Sequence, residues 1–361
     1  MSNMVPKTPH TVNTIRRVIA DKPCVTTSAQ PISPVVAAAK TPREAGIEWL
    51  RVIACVAIVA FHANTTQWPL SIFALQVFTV FTIALAVQSA GRRGPGDFIR
   101  TRASTLLLPW VFWWVAYAAW KTILCVRNDQ AWHAWFDWWR LLAGPGTHLW
   151  FLPFAFVATA VAGLWFGSRP EPANIPAARR SVAVWSVLSA ATLLASSYGM
   201  QVLIAELNQG RSYQPLQQWL AVLPAVMMGL GIVRSRVAGA YDNVSLLVLW
   251  VATMAAAGVA FALGWSNLAG PYMLAISLCM LGLRIRTPAS SALLAASSLT
   301  FGIFLLHLMA FDVWYFLVAR LHWEKVLANS HAFAASMTVF AVVSSAVVTW
   351  MLRKTALRRV L

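Results

Sequence analysis

Long apolar runs follow one another along the chain from residue 46 onward and are separated by short polar loops. A run of about 20 apolar residues is long enough for an α-helix to cross a bilayer. The pattern therefore predicts an all-α, polytopic integral membrane protein with about ten transmembrane helices. The predicted spans are 47–68, 70–90, 104–126, 147–167, 181–200, 214–233, 244–264, 267–284, 298–320 and 332–352.

The segments outside these spans differ from them in composition. Residues 1–45 are rich in Thr, Pro, Ala and basic residues and hold no long apolar run, so we expect a disordered cytoplasmic tail instead of a signal peptide. Residues 46–352 form the predicted membrane domain, and residues 353–361 form a basic cytoplasmic tail. The Trp-rich stretch at 130–142 is too short to span a bilayer, so it is interpreted as an interfacial helix.

Basic residues alternate between the two sets of loops. If the N-terminus is cytoplasmic, every cytoplasmic segment carries at least two Lys or Arg residues. The opposite set of loops holds few, namely Arg127, Arg140, Arg211, Arg320 and Lys325. Because positive charge accumulates on the cytoplasmic side of membrane proteins, the pattern predicts that both termini are cytoplasmic.

The composition supports the membrane class. The chain is 59% hydrophobic and only 11% charged, whereas soluble domains carry about 25% charged residues. The net charge of +17 is scattered among short loops, so we expect anionic lipid contacts and no nucleic-acid partner. The four cysteines form no CxxC pair, and we expect neither a disulfide framework nor a metal site.

The first predicted span carries an unusual polar stripe. Arg51 and His62 are eleven residues apart, which places them on nearly one helix face and about 16 Å apart along the axis. Glu48 precedes Arg51 by three residues and can pair with it, and Cys55 lies on the same stripe. Charged residues inside a membrane helix usually signal a function. The alternative is that Arg51 reaches the interface and His62 is a polar helix contact.

Four motifs resemble the acyltransferase-3 family of membrane O-acyltransferases. The stretch EWLRVIACVAIVAFHA at 48–63 is similar to the family's Arg, ten residues, His signature. Phe98–Pro109, His148–Leu152 and Ser298–His307 resemble three later family elements, in the same order. Glu48 stands where Asp is more usual, and Phe304 stands where Tyr is more usual.

The resemblance implies transfer of an acyl group, usually acetyl, from a cytoplasmic coenzyme A thioester. The implied acceptor is a sugar hydroxyl on a lipid-linked or extracytoplasmic glycan, as in the exopolysaccharide acetylases of the xanthan type. We therefore expect a multi-pass protein of the bacterial inner membrane. Its expected partners are acetyl-CoA, the glycan acceptor, membrane lipids and other polysaccharide-synthesis proteins.

Residue roles follow from this chemistry. His62 would serve as general base or as a transient acyl carrier. Arg51, held by Glu48, would bind the donor or stabilise developing negative charge. Arg100 and Arg102 would hold the phosphate groups of coenzyme A. The accumulation of positive charge on the cytoplasmic side alone also explains these two residues.

Four further residues are candidates. His307, in the ninth span, is expected between the level of His62 and the cytoplasm, on the path of the thioester, as a donor-binding residue. His148 and Trp150 begin the fourth span at the outer side and are expected to bind the acceptor, with His148 sharing a site with His62. Asp312 is expected to orient a histidine or to bind a sugar hydroxyl.

Three other functions remain open from the sequence. A secondary transporter or a flippase-type exporter of a glycan or small anion would also need many spans and a few membrane charges. A non-catalytic assembly factor for polysaccharide synthesis would tolerate changes at His62 and Arg51. Another family of membrane O-acyltransferases also uses a membrane histidine, but its chains are longer.

Overall fold

A computed structural model describes residues 43–63, 73–133, 135–146, 148–167, 171–207, 215–238, 240–323 and 330–361. Of the expected tail at 1–45, residues 1–42 therefore lie outside the described residues. The helices are α1 Ala45–His62, α2 Ala74–Ala90, α3 Pro95–Arg102, α4 Leu108–Arg127, α5 Arg140–Ala143, α6 Phe151–Phe166, α7 Ile175–Leu207, α8 Leu216–Arg234, α9 Asn243–Ala262, α10 Ser266–Arg284, α11 Ser291–Arg320 and α12 Ser330–Leu352.

Each predicted span overlaps one of these helices. In the described parts of the chain, seven helical segments are long and apolar enough to cross a membrane, and α2 and α6 are shorter apolar helices. The prediction of an all-α polytopic membrane protein is confirmed. The number of crossings and the cytoplasmic location of the termini stay predictions.

The third span contains a π-helical turn. Residues Ala103–Leu107 widen the helix between α3 and α4. Pro109 lies two residues after this turn, and a proline has no N–H to donate to the carbonyl of Thr105 four residues earlier. Such single wide turns often occur at functional sites.

Two loops differ from the expectation. The interpretation of 130–142 as an interfacial helix is wrong, because the described residues of this stretch form turns and only Arg140–Ala143 is helical. Trp135 instead donates a hydrogen bond to the Thr122 hydroxyl at 3.1 Å, which fixes the loop on α4. A two-stranded hairpin, β1 Arg236–Val237 and β2 Ala240–Tyr241, follows α8 and was not predicted.

Helix α1 buries one face against the bundle and leaves the other exposed. It packs against α2, α10, α11 and α12. At its start, a Cβ at Gly46 would overlap the carbonyl oxygen of Gly282 on α10, so the two backbones approach closely. Small residues at such crossings allow the van der Waals contact that holds membrane helices together. The stripe of Glu48, Arg51 and His62 is thereby fixed relative to its neighbours.

Candidate active site

The charged end of the α1 stripe is anchored by a buried carboxylate. Glu48 is 4% exposed and accepts hydrogen bonds from Arg51 Nη1 at 3.0 Å and from the Ser297 hydroxyl on α11. Arg43 Nη1 lies 3.7 Å away. The predicted Glu48–Arg51 pair is confirmed, and Cys55 adds a second link by donating to the Thr300 carbonyl at 3.3 Å.

The other end of the stripe meets two more histidines. The His62 ring centroid lies 5.2 Å from that of His307, and the His307 centroid lies 4.9 Å from that of His148. We call these three residues the histidine cluster. It joins the end of α1, the middle of α11 and the loop before α6.

The cluster contains ring nitrogens that are buried without partners. His307 Nδ1 donates to the Phe304 carbonyl at 2.7 Å, so in the neutral ring Nε2 holds the free lone pair. That Nε2 and both nitrogens of His148 have no hydrogen-bond partner in the part of the chain that the structure describes. Imidazole nitrogens in this state can accept or pass on a proton.

His307 contacts both of the other histidines. Helix α11 begins at Ser291 and places the His307 ring against His62 at the end of α1 and against His148. Its place on the path of the thioester, as a donor-binding residue, stays a prediction. His62 and His148 do share one region, as expected, but through His307.

A cavity of about 660 Å³ opens at the Arg51 end of the stripe. Its wall includes four guanidinium groups, so we call it the arginine cavity: Arg51, Arg102, Arg358 and Arg359. The π-helical turn contributes Ser104, Thr105 and Leu106 to the same wall. Arg102 lies over the Phe98 ring, and its Nε is buried without a partner among the described residues.

Arg100 does not line this cavity, contrary to expectation. It is exposed on α3. Two residues along a helix rotate the side chain by about 200°, so Arg100 and Arg102 lie on nearly opposite faces. Only Arg102 of this pair is in place to contact a ligand in the arginine cavity.

A second cavity, of about 560 Å³, lies at the other end of α4 and α11. Asp312 is part of its wall, so we call it the aspartate cavity. Its other polar residues include Lys121, Asn128, Gln130, Arg140 and Tyr315. The Asp312 carboxylate accepts from Trp120 Nε1 at 2.7 Å and lies 3.7 Å from Lys121 Nζ. It therefore bonds to these two residues and does not orient a histidine.

The histidine cluster lies between the two cavities. Along α11, Phe301 lines the arginine cavity, Asp312 lines the aspartate cavity, and His307 lies between them. Phe311, in the aspartate cavity, contacts the His307 ring at 5.6 Å. Gly146, in the same cavity, lies against His148, since a Cβ there would be 3.2 Å from its Cε1.

Three phenylalanines separate the arginine cavity from the histidines. Phe78 and Phe151 line that cavity, and their centroids lie 6.1 and 5.9 Å from that of Phe304. Phe304 in turn lies 5.1 Å from the His148 ring. We call Phe78, Phe151 and Phe304 the aromatic partition.

Trp150 lines neither cavity, contrary to the expectation that it binds the acceptor. Its side chain is buried, and its ring contacts Phe151 at 5.8 Å and Phe154 at 6.0 Å. The expectation is corrected because Trp150 is part of the hydrophobic core and lines neither cavity.

Several residues of the site were not found from the sequence. Ser297 was not considered as a partner of Glu48, and Arg358 and Arg359 were assigned to a tail. The two arginines are visible in the sequence as basic residues, but the accumulation of positive charge on the cytoplasmic side explains them equally well. Across the described residues, no group of three or more His, Cys, Asp or Glu is placed to hold a metal ion.

Comparison with known proteins gives one match. A family model described as an acyltransferase domain, the acyltransferase-3 model, matches residues 44–350. No curated protein and no solved structure matches the chain. The matched range includes Glu48, Arg51 and all three histidines of the cluster, whereas Arg358 and Arg359 lie beyond it.

Proposed function

The chain belongs to the acyltransferase-3 family and is a membrane acyltransferase, and from this we propose that it is an O-acetyltransferase. The proposed donor is acetyl-CoA, and the proposed acceptor is a sugar hydroxyl of a bacterial exopolysaccharide or other surface glycan precursor. The observation that carries the proposal is the position of the histidine cluster between a basic cavity and a mixed polar cavity.

The arginine cavity suits a phosphorylated donor. Guanidinium groups bind phosphate oxygens with paired hydrogen bonds, and this cavity has four of them. We propose that it faces the cytoplasm of a bacterial inner membrane, where acetyl-CoA is available. The long pantetheine arm would pass the aromatic partition to bring the thioester to the histidine cluster.

The aspartate cavity suits a sugar. Its wall includes a carboxylate, two amides, two cations and the aromatic residues Trp135 and Tyr315. Such a mixed set of donors and acceptors can hydrogen-bond to several hydroxyl groups. In this proposal Asp312 and its neighbours hold the acceptor with one hydroxyl directed towards His148 and His62.

The proposed chemistry uses His62 as a base. The imidazole takes the proton of the sugar hydroxyl, the oxygen attacks the thioester carbonyl carbon, and a new C–O bond forms. The C–S bond breaks, and the coenzyme A sulfur takes up the proton that His62 releases. A covalent acetyl-histidine formed before the sugar attacks is the alternative route. Arg51 would bind the donor from the other end of α1.

The test is glycan acetylation in cells that express wild type or His62→Ala. We expect wild type to form alkali-labile acetyl esters. The activity of the variant should be at least about 100-fold lower, because a positioned base usually contributes a factor of this size. Membrane abundance of both proteins is measured by immunoblot. His133→Ala is the matched control, since His133 is exposed and lies outside the cluster.

Equal acetylation by wild type and an equally abundant His62→Ala protein would exclude His62 as the base. Two cavities separated by a partition are also what a transporter needs, so transport is the second candidate. Thermal stabilisation of the purified protein by acetyl-CoA, together with ester formation, favours the enzyme. Absence of both would favour the transporter.

A further inference from the structure

The segment after α12 folds back onto the bundle. Arg353 donates from Nη1 to the Ser298 hydroxyl on α11 at 2.7 Å and from Nη2 to the Ser298 carbonyl. Residues Ala356–Val360 then form a short 3-10 helix. We call residues 353–361 the C-terminal strap. The residues predicted as a basic cytoplasmic tail therefore pack against the membrane domain, and their cytoplasmic location stays a prediction.

The far end of the strap is fixed to α4. Trp113 Nε1 donates to the Val360 carbonyl at 2.9 Å, and the Val360 side chain is buried. Leu361 packs against the main hydrophobic core. Because the strap is tied to α11 at one end and to α4 at the other, the residues between the two attachments have a defined position.

That position is the wall of the arginine cavity. Arg358, Arg359 and Leu361 all line it. Arg358 and Arg359 have no ion-pair partner in the described residues, whereas Arg51 is paired with Glu48. The strap thus contributes two guanidinium groups without an ion-pair partner among the described residues, and Arg102 contributes a third.

Three unpaired guanidinium groups in one cavity indicate a ligand with several negative charges. Resting on the function proposed above, we infer that Arg358 and Arg359 bind phosphate groups of the coenzyme A donor together with Arg102. The strap is then a wall of the donor site. This assignment also replaces Arg100, which is exposed away from the cavity.

Binding measurements on the full-length protein test the inference. Coenzyme A and pantetheine, which lacks the phosphates, are titrated by calorimetry into wild type and an Arg358→Gln/Arg359→Gln double variant in nanodiscs of neutral lipid. We expect the double variant to bind coenzyme A at least about tenfold more weakly, because two charge-assisted contacts are lost. Pantetheine should bind both proteins equally.

The matched control is an Arg180→Gln/Arg286→Gln double variant. It removes the same net charge, but both arginines are exposed and neither lines the cavity. Its affinity for coenzyme A should stay within about twofold of wild type. Equal melting temperatures of the proteins without ligand show that the strap variant is folded.

Three results would overturn the inference. Equal affinity of wild type and the strap variant would show that the two arginines do not contact the donor. Tighter binding by the variant would show that the strap obstructs the cavity. If the strap variant loses only its retention on phosphatidylglycerol vesicles, the arginines bind lipid headgroups.

A different result would refute the proposed enzyme and not the inference. In that case wild type binds coenzyme A through the strap arginines but transfers no acetyl group.

Discussion

Glu48 shows how a single buried charge organises one end of the site. Its carboxylate accepts from Arg51 on its own helix and from Ser297 on α11. An ionised carboxylate buried in a membrane protein is stable only when it is paired and hydrogen-bonded. The pair therefore fixes the direction of Arg51 into the arginine cavity.

Replacing Glu48 with Gln tests this role. The amide keeps the size and one hydrogen bond but removes the charge that holds Arg51. We expect acetyl transfer to fall by about tenfold or more, with a higher KM for acetyl-CoA, because Arg51 is no longer positioned. Arg43→Gln is the control, since Arg43 is 62% exposed and 3.7 Å away. Unchanged kinetics in the Glu48 variant would refute the positioning role.

Polar residues within an apolar run are easier to identify from the sequence than the residues that contact them in the fold. Arg51 and His62 were found because a charge in an apolar run is conspicuous, and helical geometry relates them along α1. The contacts among His62, His148 and His307 join two helices and a loop, and no local spacing contains that information. Arg100 and Arg102 looked equivalent because charge asymmetry explains both, and only the packing of the helix distinguishes them.

Among the secondary-structure elements, the apolar runs predict every described span, but they predict neither its ends nor the π-helical turn of the third span. Helix α7 extends from Ile175 to Leu207, beyond the predicted 181–200, because polar residues can continue a helix outside the hydrocarbon core. The C-terminal strap and the hairpin after α8 were missed for another reason. The strap is held by hydrogen bonds to α4 and α11, and the hairpin pairs only two residues of each strand, so neither has a periodic apolar pattern.

The close crossing of α1 and α10 gives a prediction at this scale. Gly46→Ala would place a Cβ against the Gly282 carbonyl oxygen and 2.9 Å from the Ile285 Cβ. We expect a loss of about 1–3 kcal/mol of stability, the usual effect of overpacking. Thermal unfolding of the detergent-purified protein measures it.

Gly258→Ala provides the matched control. Gly258 lies within α9 and has no other atom within 4 Å of an added Cβ. Since alanine favours a helix over glycine, this variant should be as stable as wild type or slightly more so. Equal stability of the two alanine variants would contradict the close contact between α1 and α10.

The whole molecule places two different cavities at opposite ends of the same helices. Helices α4 and α11 contribute residues to both, and the histidine cluster and the aromatic partition lie between them. Under the proposed function, with the arginine cavity facing the cytoplasm as the charge asymmetry of the loops predicts, donor and acceptor approach from opposite sides. The chemistry then occurs inside the membrane, and only the acetyl group crosses it.

Sealed inverted membrane vesicles test this claim most directly. Acetyl-CoA labelled in the acetyl group is added outside the vesicles, where the cytoplasmic face is exposed. Label bound to glycan through alkali-labile esters is then measured. A membrane-impermeant esterase is present throughout, and the measurement is made before and after detergent is added. The account predicts labelled esters that resist the esterase until detergent is added, with none formed by equally abundant His62→Ala protein. Esters removed without detergent, or formed equally by the variant, would contradict transfer across the membrane at the histidine cluster.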